Sequence, residues 1–116
     1  MTELELARAA AKALDSKKAL DLKILRITEL SVIADYFVIA TGTSNTQVKA
    51  LADEVEFRLK EQGVAPGHRA GYHSNSWVLL DYGSVVVHVF TPESRNFYDL
   101  DRLWKDGEEV DPGLSE

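Results

Sequence analysis

A chain of 116 residues that is 45% hydrophobic has the size and the apolar stock for one domain around a single core. It has no cysteine, which excludes a disulfide framework, a thiolate metal site and a cysteine nucleophile. The formal charge of −6, from 13 Lys plus Arg against 19 Asp plus Glu, argues against a surface built to neutralise nucleic-acid phosphates and favours a basic protein as partner. No apolar run reaches the ~18 residues of a membrane span, and Met1-Thr2-Glu3-Leu4-Glu5 lacks the basic start of a secretory signal. A soluble, cytoplasmic protein without membrane contact is expected.

Thr2 and Glu5 form a capping-box pair, and Leu6, Ala10, Ala13 and Leu14 recur at helical spacing, so residues 2 to about 17 are expected to be a helix. Its mostly alanine stripe allows close packing on a sheet. Asp21 to Ile27 reads as a strand with a partly exposed edge, because two basic residues interrupt its apolar run. Asp35 to Thr41 carries no charge after Asp35 and is expected to be a central strand buried on both faces, ending at Gly42.

A second helix opens with Ser44 as N-cap and Gln47 at the capping-box position. It carries Val48, Leu51, Val55 and Leu59 on its apolar stripe and stops at Gly63. Val64 to Ser76, rich in Gly, Pro and Asn, reads as an irregular loop with at most a short extended piece. Trp77 to Phe90 then gives two apolar runs divided by Gly83-Ser84, a β-hairpin. Alternation puts Trp77, Leu79 and Asp81 on one face of its first strand and Val78, Leu80 and Tyr82 on the other. Thr91-Pro92-Glu93-Ser94 starts a short helix with Phe97, Leu100, Leu103 and Trp104 as its apolar residues. Residues 1–105 thus form a single domain, and 106–116 are expected to be an acidic, flexible tail. The order predicts an α/β or α+β fold, a mixed sheet of about four to five strands flanked by helices.

Enzymatic patterns fail on spacing. Thr41-Gly42-Thr43-Ser44 before a helix has the layout of a phosphate-binding turn but neither GxxxxGK[ST] nor GxGxxG, so a turn plus N-cap is the expectation. A two-metal carboxylate site would need acidic pairs on a strand, whereas Asp53-Glu54 fall inside the second helix and Asp99-x-Asp101 in the late helical segment. His68, His73 and His88 show no close ligand spacing, and His88, alternating with Val86 and Phe90, is expected to be a hydrogen-bonded, partly buried strand residue. Ser84 lacks a Gly-x-Ser-x-Gly elbow. No catalytic residue, metal or cofactor is therefore expected.

What remains is a set of aromatics, Trp77, Tyr82, Phe97, Tyr98 and Trp104, interleaved with Asp81, Asp99 and Asp101. Such residues either close the core against the last helix or form a hot spot that receives Arg and Lys. Two competing functions are a homodimeric scaffold in which the apolar hairpin face meets its own copy, and a nucleotide-binding or transferase enzyme, for which the two-metal carboxylate set and cationic phosphate clamp are both absent.

Asp35-Tyr36-Phe37-Val38-Ile39-Ala40-Thr41-Gly42-Thr43-Ser44 with Gln47-Val48, Gly71, Trp77 to Gly83, Val86 to Phe90, Arg95, Tyr98, Leu100 and Leu103-Trp104 together resemble the Iojap-like ribosomal silencing factors, over about residues 3 to 106. The resemblance implies a nucleotidyltransferase-like fold without the catalytic carboxylates. It also implies a non-enzymatic protein that binds the large ribosomal subunit through ribosomal protein L fourteen, obstructs subunit joining and lowers translation when nutrients are scarce. The family's contact surface carries over to Trp77, Leu79, Leu80, Asp81 and Tyr82, with Tyr98 and Asp99 beside them. Position 84 is Ser where many relatives are acidic, and position 101 is Asp where Glu is common.

Overall fold

The computed structural model describes residues 1–114. Along the chain it contains α1 (Glu3–Ser16), β1 (Leu20–Arg26), β2 (Tyr36–Thr41), α2 (Asn45–Glu61), β3 (His68–Ala70), β4 (Trp77–Asp81), β5 (Val85–Phe90), α3 (Pro92–Tyr98), α4 (Leu100–Leu103) and β6 (Glu108–Val110). The strands form one six-stranded sheet in the order β3-β4-β5-β2-β1-β6. β2 and β5 are parallel at its centre, and the outer pairings are antiparallel. The mixed α+β architecture agrees with the sequence, and the sheet is larger than the expected four to five strands.

Helix starts follow their capping chemistry. Thr2 accepts from the Glu5 amide while the Glu5 carboxylate takes the Thr2 amide, the reciprocal pair the sequence suggests. Ser44 caps α2 by accepting from Gln47, but the Gln47 side chain accepts from the backbone and hydroxyl of Thr43 instead of the Ser44 amide. The Thr43 and Gln47 amides at this turn are thus occupied within the chain.

Alternation along the strands builds two cores. On one face Ile24, Val38, Ala40, Val78, Leu80, Val85, Val87 and Val89 meet α1 and α2. Ala7, Ala10, Ala11 and Ala13 of α1 are fully buried there, so the helix can lie close to its neighbours. On the other face Leu25, Phe37, Ile39, Val86 and Phe90 are covered by Leu100 and by half-buried Trp77, Leu79 and Trp104. The two short helices α3 and α4 cover this second face less completely than two long helices cover the first. Apolar side chains at the β4 end of that face therefore reach solvent.

One expectation is corrected at a sheet edge, and one is borne out at the other, where the 64–76 loop holds only the short extended piece β3. Residues 108–110, placed by sequence in a frayed tail, pair with Ile24–Arg26 of β1 and set Val110 against the α1-side core. Beyond them the Arg8 Nε donates to the Asp111 carbonyl at 3.0 Å, tying the chain back to α1. Ser115 and Glu116 of the expected tail lie outside the described residues. At the opposite edge the 64–76 segment is anchored by β3 and by Glu56, which accepts from Arg69 at 3.0 Å and from the Tyr72 hydroxyl at 2.6 Å.

Candidate protein-docking face

β4 carries the site because its odd-numbered residues face away from α1 and α2. Trp77 lies opposite Phe90, Leu79 opposite His88 and Asp81 opposite Val86 in the β4–β5 ladder. The Trp77 indole stacks on Phe90 at 5.0 Å between centroids and meets Tyr98 at 4.5 Å. Its Nε1–H donates to Nδ1 of His88 at 3.1 Å. Trp77 is thus half-buried, closing the second core on one side and reaching the surface on the other.

Tyr98 arrives from the last turn of α3 and is 48% exposed. Asp99 follows in the left-handed conformation, φ 51° and ψ 54°, ending α3 and capping α4 by accepting from the Arg102 amide. This break rotates the helical stripe. Of the apolar residues read from this helix, Leu100 and Trp104 turn inward, whereas Phe97 and Leu103 are 80% and 70% exposed. With Asn96, Tyr98, Asp99 and Arg102 they line a shallow cleft of about 530 Å³ beside the indole. The clue to their exposure was Asp99 itself, an Asx capping residue in the middle of an otherwise continuous stripe.

Arg95 and Asp101 hold the two short helices in place. Arg95 grips both Asp101 oxygens at 2.8 and 3.1 Å and donates to the Thr41 hydroxyl at 2.8 Å, while the Lys23 Nζ lies 2.9 Å from the same carboxylate. The Arg95 guanidinium and the Lys23 ammonium hold the Asp101 carboxyl down to about 2. Among the described residues no three His, Asp or Glu side chains gather as a possible metal site.

The predicted site residues separate into two groups. Trp77, Leu79, Asp81, Tyr98 and Asp99 all belong to the second face or its rim. Asp81 is half-buried, with one oxygen accepting from the Gly83 amide at 2.8 Å in the hairpin turn. Leu80 and Tyr82 do not join them. Leu80 is fully buried beneath the helices, and Tyr82 packs at the margin of the same core, because successive strand residues alternate faces. Among the described residues the Tyr82 hydroxyl has no hydrogen-bond partner, and burial pushes its pKa up. Leu80 is thus closed to a partner seated on Trp77, and Tyr82 lies on the opposite face of the sheet.

The chain matches the family described as "Ribosomal silencing factor during starvation" over residues 1–116. It is 41% identical over 111 residues to the ribosomal silencing factor RsfS of Halalkalibacterium halodurans, covering 96% of this chain and 95% of that protein. It is 43% identical over 100 residues to RsfS of Chromobacterium violaceum, covering 86% and 82%. A crystal structure of a Chromobacterium violaceum protein superposes with a TM-score of 0.88 at 39% identity, over 99% of this chain and 95% of that one. Fold, motifs and full-length similarity agree, and the chain belongs to the ribosomal silencing factor family.

Proposed function

We propose that this protein represses translation in the cytoplasm by binding the large ribosomal subunit through ribosomal protein L fourteen. Its body then sterically blocks association with the small subunit, which lowers protein synthesis under nutrient limitation. The observation that carries this reading is the half-exposed patch of Trp77, Leu79 and Tyr98 rimmed by Asp81 and Asp99, on a chain of net charge −6. An aromatic and aliphatic centre supplies the affinity of a hot spot. Carboxylates at its rim steer a basic protein to it and fix the orientation. An acidic surface is equally suited to standing beside ribosomal RNA without binding it.

In this mechanism Trp77, Leu79 and Tyr98 bury against the partner, and Asp81 pairs with a Lys or Arg. The remainder of the domain provides the obstruction, and no bond is made or broken. Pull-down with purified ribosomal protein L fourteen tests the site. Trp77→Ala and Asp81→Arg should each weaken binding by about tenfold or more, the loss of about 1–2 kcal/mol expected of a hot-spot residue. Wild-type affinity in both folded variants would remove those residues from the site. Sedimentation with isolated large subunits, before and after small subunits are added, tests the function. Failure to travel with the large subunit, or free joining in its presence, would refute the mechanism.

A further inference from the structure

Behind Trp77 lies a side chain whose presence the core does not explain. His88 is 4% exposed, in the middle of β5, with Phe37, Trp77 and Phe90 around its ring. Its Nε2 is buried without a hydrogen-bond partner among the described residues. Burying an unpaired polar atom is unfavourable, and an aliphatic residue would fill a β-strand position in an apolar layer without that cost. Among the described residues, the one hydrogen bond the His88 side chain makes is the one it accepts, through Nδ1, from the Trp77 indole.

We propose that His88 is a positioning residue for the docking face: its Nδ1 fixes the orientation of the Trp77 indole, so that the ring is presented to the partner in one preset rotamer. The proposal rests on the reading of Trp77 as a docking residue. The chemistry fits the role. Nδ1 can accept only from the neutral ring whose proton sits on Nε2, and burial among aromatic rings keeps the imidazole neutral, with its pKa lowered to about 4. The bond is also directional where the other contacts of Trp77 are not. Stacking on Phe90 and Tyr98 permits the indole to slide or flip, whereas Nε1–H to Nδ1 selects which edge points inward. A side chain held in its bound rotamer loses less entropy on association, which raises affinity without any added contact.

The test pairs a spectroscopic signature with binding to ribosomal protein L fourteen. In the wild type the indole N–H resonance of Trp77, assigned with Trp77→Phe, should exchange slowly with solvent. His88→Leu removes the acceptor, and His88→Asn retains one, because Asn Oδ1 occupies roughly the place of Nδ1. The Leu variant should speed exchange of that proton by at least about tenfold and weaken binding by about fivefold, the worth of a typical net hydrogen bond. The Asn variant should restore both. In a Trp77→Phe background, which keeps an aromatic ring but has no donor, His88→Leu should cost no further affinity. An unchanged indole signal in His88→Leu would overturn the proposal. So would additive losses in the double variant, which show His88 acting on the fold and not through the indole. If Trp77→Ala itself binds like wild type, the docking assignment fails whatever the indole signal shows.

Discussion

Leu79 and Leu80 are identical, adjacent and consigned to different tasks. Leu80 is fully buried against α1 and α2, and Leu79 is half-exposed on the docking face. Leu80→Ala should therefore destabilise the fold by about 2–5 kcal/mol, the cost of a cavity in a close-packed core, as read from a urea titration. Leu79→Ala should cost distinctly less stability and show its effect in binding to ribosomal protein L fourteen. Gly71 sets the entry to the same strand. Its φ is +91°, and a Cβ built there would lie 1.9 Å from the Trp77 carbonyl oxygen, so the backbones at the start of β4 can approach only over a glycine. Gly71→Ala combines a left-handed penalty with a backbone clash, and it should lower the thermal midpoint by more than Gly63→Ala, where φ is +82° but nothing lies within 4 Å.

At the scale of elements, the docking face depends on α3 and α4 being two helices and not one. Asp99 breaks them, and Arg95 with Asp101 locks the break against β1 and β2 through Lys23 and Thr41. Asp101→Asn removes the charge that pairs with a nearly buried guanidinium. It should cost about 1–3 kcal/mol of stability, and hydrogen exchange should show α3 and α4 loosened while α1 and α2 keep their protection. β6 makes the complementary point at the other edge. Glu108 and Glu109 precede a single apolar residue, Val110, too little for a strand to be expected from pattern alone. The strand forms because β1 offers an open edge, Arg26 lies 3.7 Å from Glu108, and Val110 has a core to enter.

For the whole molecule, two buried or partly buried groups make folding sensitive to acid. The native pKa of His88 is near 4 against about 6.5 in an unfolded chain, so the unfolded state binds more protons between those values. Its contribution to stability is complete above about pH 6.5 and declines as pH falls toward 4, by about 3 kcal/mol in all. Asp101, held to about 2 by Arg95 and Lys23, contributes fully above the ordinary carboxylate pKa and loses that contribution as pH falls from about 4 toward 2. Urea midpoints should therefore fall steadily between pH 6.5 and 4, and His88→Leu should flatten that part of the curve. A midpoint independent of pH over that interval would show that His88 titrates normally in the folded protein.

The sequence by itself determined whatever depends on neighbours in the chain. Capping at Thr2 and Ser44, the 3.6-residue stripe of α2, the Gly83-Ser84 hairpin and the two-residue alternation of β4 are local, and each was readable because its physics is completed within a few residues. The motifs also sufficed to suggest the family. Tertiary structure decided what requires partners distant in sequence. It recruited β6 to the β1 edge, split the last helix at Asp99, exposed Phe97 and Leu103, and joined Tyr98 to Trp77. It also separated Leu80 and Tyr82 from the site. Alternation shows that two faces exist, but which face two long helices cover, and which is left half-open under two short ones, is settled only when the whole sheet competes for the available apolar cover.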